Sequence, residues 1–294
     1  MEILQTPAIV VCELIVGWRQ NSMFGWNKRT SRWVRRVAIV LLVLVPAAWF
    51  VPVPTAILVV CGVIDVTRHR RITVRVVQQY FTGNGILTWL LSPINLCADL
   101  LSRRGPAVYR LADLPVSHQQ EIEACTRALT ENAAQVKAHV ARSLADNRRG
   151  MFSFRWYDVP QSPILTIPAF EGDFRYIKTI ALSVFNTREH TSWHFGPLRL
   201  TLRVLFNLDP VDSRDVYIQV DDRTHYWIDD PLFIFDDTFM HQSVNDVEQV
   251  RYCLFMDIVR PSRLPALFDA AVHVVSFFSG SFQRMFYKNW SFLR

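Results

Sequence analysis

Charge is scarce in this 294-residue chain: Asp, Glu, Lys and Arg make up 20% of it against 50% hydrophobic residues, an uneven balance for a uniformly soluble protein. Cysteine is scarcer still. The five cysteines, at positions 12, 61, 97, 125 and 253, are odd in number and contain no C-x-x-C pair. That excludes a disulfide framework and a zinc ribbon and points to reduced thiols in a cytosolic setting. A dinucleotide-binding loop is missing, because Gly83-Asn84-Gly85 lacks the rest of the G-x-G-x-x-G spacing and reads as a turn. A secretory leader is not recognisable either: the apolar stretch 8–17 is short, holds Glu13 and has no basic region before it. Aromatic residues, in contrast, are plentiful. Nine Trp, eight Tyr and twenty Phe supply ample surface for a packed core and exclude a disordered or low-complexity chain.

The formal net charge of +6 is less informative than its placement. Lys28, Arg29, Arg32, Arg35 and Arg36 precede an uncharged run at 37–64, and Arg68, Arg70, Arg71 and Arg75 follow it. Basic clusters that bracket an apolar run suit anionic lipid head groups, so the expected partner is a membrane lipid bilayer and not nucleic acid. The run holds 28 residues, and a straight helix of that length, about 42 Å, overshoots a hydrocarbon core of about 30 Å. A tilted span or a hairpin turning near Pro52-Val53-Pro54 absorbs the excess; comparably basic flanks favour the hairpin, with both ends cytoplasmic. Residues 1–78 are therefore read as an N-terminal membrane anchor, 79–112 as an interfacial linker and 266–294 as an amphipathic C-terminal tail able to lie on a membrane.

Between linker and tail, 113–265 reads as a helix plus a β domain. Ser117 and Gln120 form a capping-box pattern, and Ile122, Cys125, Leu129, Val136, Val140 and Leu144 recur at helical spacing up to about 147. From Met151 the period changes to two, with strands expected at 177–185, 198–208, 216–220, 232–235 and 250–259. Many short strands without βαβ alternation predict a mainly β double-stranded β-helix, a cupin-like jelly roll with supporting helices.

Three residues carry candidate chemistry. His194 precedes the expected strand at 198–208, His241 closes the stretch Phe235 to His241, and Arg251 begins the last strand. Two imidazoles on rigid strand ends suit a divalent transition metal, and a neighbouring arginine suits a bidentate carboxylate. A zinc protease does not fit: His190 and His194 are four apart, but residue 191 is Thr where H-E-x-x-H needs Glu.

In this arrangement the sequence resembles the aspartyl/asparaginyl β-hydroxylase family of Fe(II)- and 2-oxoglutarate-dependent dioxygenases, including its bacterial lipid A 2-hydroxylase branch. The likeness rests on His194-Phe195-Gly196-Pro197 followed by Leu202-Arg203, on Phe235-Asp236-Asp237 leading to His241, on Arg251 with Asp257 and Pro261, and on Trp227. The resemblance implies His194 and His241 as iron ligands and Arg251 as partner of the distal 2-oxoglutarate carboxylate. It further implies Ser183 as a second partner there, and Arg203 reaching 2-oxoglutarate or the substrate. Gly196 stands where most oxygenases of the superfamily have an acidic ligand, leaving room for water or, for halogenation, chloride. Leu205 replaces a histidine common in the family. Asp236 and Asp237 are read as residues that fix the loop of His241.

The implied activity is hydroxylation of a lipid acyl C–H, coupled to conversion of 2-oxoglutarate and O2 to succinate and CO2. One alternative is hydroxylation of Asp or Asn in a protein; another is a non-catalytic membrane-anchored binding or sensing protein. The expected location is the bacterial inner membrane, with the catalytic domain cytoplasmic.

Overall fold

The computed structural model describes residues 28–102, 105–144, 148–161, 165–286 and 290–292; Cys12, the 8–17 stretch and residues 287–289 of the tail lie outside them. The chain divides into two units, 1–55 and 56–294. In the first, α1 (Lys28–Phe50) contains one stretch, Thr30–Phe50, that is long and apolar enough to cross a membrane. At 1.5 Å per residue it measures about 31 Å. α2 (Pro52–Val66) follows after a single residue. The tight turn expected near Pro52 to Pro54 does not form there. Both prolines sit in the first turn of α2, where a missing N–H is unpaired anyway and φ is already helical. Val51 N–H donates to Ala47 O at 2.8 Å and Thr55 N–H to Val51 O at 3.2 Å, carrying the ladder past them.

Among its described residues the second unit has twelve strands: β1 (Val108–Tyr109), β2 (Arg149–Trp156), β3 (Val159–Pro160), β4 (Ile177–Phe185), β5 (Glu189–His190), β6 (Thr201–Asn207), β7 (Val216–Val220), β8 (Arg223–Tyr226), β9 (Leu232–Phe235), β10 (His241–Asn245), β11 (Arg251–Val259) and β12 (Ser291–Phe292). The major sheet runs β1-β9-β6-β11-β4-β2-β12, with β3 on β2, and the minor sheet runs β5-β10-β7-β8. The chain is thus a mainly β jelly roll with supporting helices. β4 is buried along its whole length, and its alternation serves two cores. Ile180, Leu182 and Val184 join the outer core, while Ala181 faces inward with Met151, Leu205, Ile218, Trp227 and Phe255 between the sheets.

Two helices, α6 (Val116–Glu131) and α7 (Ala133–Leu144), supply Ile122, Leu129, Val136 and Val140 to the outer core. The single helix expected from 117 is therefore two. Pro115, not Ser117, occupies the N-cap, so the capping box does not form. The break falls at Asn132, whose side-chain amide donates to Ala128 O at 2.8 Å and so competes with its own backbone N–H, which lies 3.3 Å from the same carbonyl. The strand expected at 198–208 is shorter, because residues 199–200 form a turn and β6 begins at Thr201.

Three short helices, α3 (Val74–Thr82), α4 (Ile86–Leu90) and α5 (Ser92–Leu101), fold within the same unit, as does α8 (Pro265–Phe286). A Cβ on Gly62 would overlap the Trp89 indole, so α2 and α4 pack closely there. Ala98 of α5 and Phe268 and Val272 of α8 share a core with Leu198 and Leu200. β12 pairs in parallel with β2.

Candidate active site

His194 and His241 are brought together by the backbone. Each N–H donates to the other residue's carbonyl at 2.9 Å, an isolated antiparallel bridge that ties the loop before β6 to the first residue of β10. The ring centroids lie 4.1 Å apart. Each Nδ1 faces a carbonyl two residues upstream, Ser192 O at 2.7 Å for His194 and Phe239 O at 2.8 Å for His241. A neutral ring in that position donates through Nδ1–H and keeps its lone pair on Nε2, the form a metal requires. Burial pulls the His194 imidazole down to about 4, with Arg203 and Arg149 adding to the shift. Burial and then His194 itself hold His241 well below its usual range. Both rings are neutral at physiological pH.

Arg251 opens β11 directly opposite Phe185, the last residue of β4. It is 3% exposed and stands over the Phe185 ring at 4.4 Å and the Trp227 ring at 5.3 Å. Its Nη2 donates to Ser243 Oγ at 2.8 Å and the Cys253 thiol lies beside the guanidinium, whereas Nε and Nη1 are buried with no nitrogen or oxygen acceptor. Burial lowers its pKa. A buried guanidinium with open donors is costly unless an anion completes it.

Ser183 lies on the same cavity wall and donates to Cys253 O at 3.2 Å. Arg203 is tied differently. Its Nε and Nη2 reach Asp257 Oδ1 at 3.1 and 3.0 Å, and Nη2 reaches Asp237 Oδ2 at 3.1 Å, beside a bulge in the β4–β11 ladder. These contacts make Arg203 a positioning residue for two acids. Leu205 lines the cavity as an apolar wall.

Asp237 explains Gly196. A Cβ at 196 would fall on the Asp237 carboxylate, so the acid occupies through space the place that a side chain two residues after His194 would take. Burial pushes the Asp237 carboxyl up to about 7, against the pull of Arg203. Among the described residues, no group of three or more His, Cys, Asp or Glu is arranged to hold a metal ion.

The sequence reading missed what holds the loops of His194 and His241. Asn84 Nδ2 donates to Trp193 O at 2.9 Å, Thr88 Oγ1 to Gly196 O at 2.8 Å and Asn95 Nδ2 to Pro197 O at 3.1 Å, while Asn95 Oδ1 accepts from Arg199 N at 2.9 Å. The 84–95 segment thus fixes the His194 loop bond by bond. Beneath the His241 loop lies a cluster of three aspartates and three arginines. Asp236 meets Arg68 at 3.1 Å, Arg199 at 3.6 Å and Arg260 more closely still. Asp65 meets Arg199 at 2.6 Å, and Asp99 meets Arg199 at 3.1 Å, Arg68 at 3.3 Å and Arg260 at 3.4 Å. Tyr80 donates to Asp65 at 2.7 Å. Burial alone would raise the Asp236 carboxyl, but Arg260, Arg68 and Arg199 overcome it and hold the group far below the carboxylate range. Arg68, read from sequence as part of a lipid-facing flank, is therefore an interior residue. The only outward signal was polarity inside an apolar segment: Asp65, Thr88, Asn95 and Asp99.

His194, His241, Arg251, Ser183, Arg203 and Asp237 all line one cavity of about 610 Å3. Its other end is walled by Leu87, Leu91 and Ile94 and by Ala271, Val274 and Val275.

Residues 117–261 match a family described as Aspartyl/Asparaginyl beta-hydroxylase. A curated relative, the ornithine lipid ester-linked acyl 2-hydroxylase of Rhizobium tropici, is 32% identical over 93 residues, covering 31% of this chain and 33% of the relative. The match thus spans about a third of that protein. Among solved structures, an oxidoreductase of the 2OG-Fe(II) oxygenase family from Burkholderia pseudomallei aligns with 14% identity and a TM-score of 0.31, covering 45% of this chain and 80% of that one. The collagen prolyl hydroxylase of Paramecium Bursaria Chlorella virus-1 aligns with 9% identity and a TM-score of 0.32, covering 48% and 91%. The family match runs from α6 through every strand from β2 to β11, and it is in this domain that the chain is similar to the aspartyl/asparaginyl beta-hydroxylase family.

Proposed function

We propose that this protein is a membrane-associated dioxygenase that uses Fe(II), 2-oxoglutarate and O2 to hydroxylate a C–H bond of a lipid acyl chain, releasing succinate and CO2. The observation that carries the reading is one cavity holding two neutral imidazoles, each with Nδ1 tied to a backbone carbonyl, and a buried guanidinium with two open donors. These residues fit the group: His194 and His241 offer Nε2 to the metal, and Arg251 offers Nε and Nη1 to a carboxylate. The bound metal and cosubstrate supply the oxidising chemistry. The chain's own residues position and shield. Ser243 holds Arg251 in place, Ser183 adds a hydroxyl on the same wall, and Arg203 fixes Asp237, whose carboxyl fills the space beside Gly196. Phe235 and Phe255 line the cavity and keep it dry.

The lipid substrate is supported by the named activity of the Rhizobium relative and by the span in α1. Basic residues on both sides of the uncharged run 37–64, Arg35 and Arg36 before it and Arg70 and Arg71 after it, favour a catalytic unit on the cytoplasmic face of a bacterial inner membrane. The family description favours a second reading, hydroxylation of Asp or Asn in a protein. Mass spectrometry of membrane lipids from cells carrying the wild-type chain or His194→Ala separates them. A lipid heavier by one oxygen only with the intact chain is the expected result. Unchanged lipids alongside 2-oxoglutarate turnover would transfer the assignment to a protein substrate, and unchanged lipids without turnover would leave a binding protein.

A further inference from the structure

The cavity is larger than its polar end requires. A five-carbon keto diacid between the imidazoles and Arg251 fills only part of about 610 Å3, and cavities of about 300–1,000 Å3 suit ligands of drug-like size. The remainder has a distinct chemistry. Leu87 of α4, Leu91 between the two helices and Ile94 of α5 line it together with Ala271, Val274 and Val275 from α8, and these six side chains offer no hydrogen-bonding atom. We infer that this half of the cavity is a tunnel for one acyl chain of a bilayer lipid, entered between α5 and α8; the inference rests on the hydroxylase reading above and names its substrate channel.

Three further observations support it. Two of the lining residues are apolar and open to the outside: Ile94 is 49% exposed and Val274 63%. The β2–β3 turn is a two-residue hairpin in which Tyr157 and Asp158 both have left-handed φ, 46° and 62°. A tyrosine rarely takes that conformation, and here the strained turn sets Tyr157 into the cavity wall. Lys178, 6% exposed, bridges Asp158 and Asp269 at 2.8 Å each, clamping α8 to that turn. The wall opposite α4 and α5 is therefore built and held. A peptide would bring backbone amides into this half of the cavity, where the six aliphatic walls leave them unpaired at a cost. An acyl chain has none to satisfy.

The test uses the full-length protein in phosphatidylglycerol vesicles containing a phosphatidylglycerol with a diazirine along one acyl chain. After illumination, peptide mapping locates the adducts. Adducts on Leu91, Val275 and residues deeper in the cavity are expected. Leu91→Trp and, from the other wall, Val275→Trp each reduce the deep adducts by more than about tenfold, while the exposed Leu100→Trp on α5 does not. Retained 2-oxoglutarate-dependent thermal stabilisation shows that the tunnel variants are folded. Adducts confined to the exposed Ile94 and Val274, with none deeper, overturn the tunnel and leave the hydroxylase reading standing. Deep adducts in a protein that never oxidises 2-oxoglutarate support the tunnel and sink the hydroxylase reading. Displacement of deep adducts by an Asp-containing peptide, and not by unlabelled phosphatidylglycerol, overturns the acyl assignment.

Discussion

Arg199 and Arg251 are both buried, at 1% and 3% exposure, yet their surroundings are opposites. Arg199 shares Asp65, Asp99 and Asp236 with Arg68 and Arg260, three positive against three negative groups in one cluster, in which Arg260 Nε alone is unpartnered among the guanidinium nitrogens. Arg251 faces no carboxylate. Its Ser243 contact uses one nitrogen, and two remain open toward the cavity. A charge surrounded by counter-charges fixes structure, whereas a charge left half-paired inside a protein marks where a ligand completes it. The difference assigns roles to residues of the same type without reference to any relative.

The sharpest way to break that contrast is to remove Asp236. Asp236→Ala strips three guanidinium groups of their shared acceptor, and losing one partner of a buried ionic network costs about 3–5 kcal/mol. The denaturant midpoint of the full chain in detergent should fall accordingly, or the variant should fail to accumulate. A wild-type midpoint would show that the cluster is not what secures the His241 loop. Arg251→Met should do the reverse. Removing an incompletely paired buried charge leaves the ligand-free midpoint unchanged or raised, while binding of 2-oxoglutarate weakens by roughly 2–5 kcal/mol, measured calorimetrically with Mn(II) in place of iron. In the wild type, 2-oxoglutarate at a hundred times Kd adds about 2.7 kcal/mol of apparent stability; at the same concentration the variant should gain about 0.9 kcal/mol or less. A midpoint loss as large as that of Asp236→Ala would erase the distinction.

A smaller effect is expected at the other loop. Asn95→Ala removes two hydrogen bonds, to Pro197 O and from Arg199 N, at about 1–3 kcal/mol for buried groups. Because the same loop carries His194, metal affinity should fall about 10–100-fold, readable from the visible absorption of Co(II) bound in place of iron. Unchanged affinity with lowered stability would make Asn95 a fold residue only.

What was legible in the sequence follows the range of the interactions. His194, His241 and Arg251 sit in short local patterns, and the structure brings them to one cavity. Strand periodicity located β4, β7, β9 and β11 to within a residue, because alternation is a local consequence of the pleat. It misread Arg199, since Leu198 and Leu200 continue the alternation numerically while the backbone turns to give its N–H to Asn95, 104 residues away in sequence. Arg68 was misread for the same reason: its partner Asp236 is 168 residues distant, and next to an apolar run a lone arginine looks like a lipid-facing flank. Asp237 was assigned to loop fixation, but its relation to Gly196 is spatial, and no spacing rule reports it.

The smallest expected effect tests whether burial or contact distance separates these regions. Arg214 and Asp229 form an ion pair at 3.0 Å, the same separation as Arg203 and Asp257, but their side chains are 62% and 54% exposed against 14% and 3%. If distance set the energy, Arg214→Ala would rival the interior variants. Water solvates both exposed partners when they separate, and salt screens what attraction remains, so such pairs contribute only about 0–1 kcal/mol. Arg214→Ala should therefore leave the denaturant midpoint within about 0.5 kcal/mol of wild type, with the difference vanishing at 1 M salt, where the screening length is about 3 Å. A loss comparable to that of Asn95→Ala, persisting in salt, would show that the surface pair holds the β7–β8 edge as firmly as the interior network holds the loops of His194 and His241, and the contrast between Arg199 and Arg251 would then need an origin other than burial.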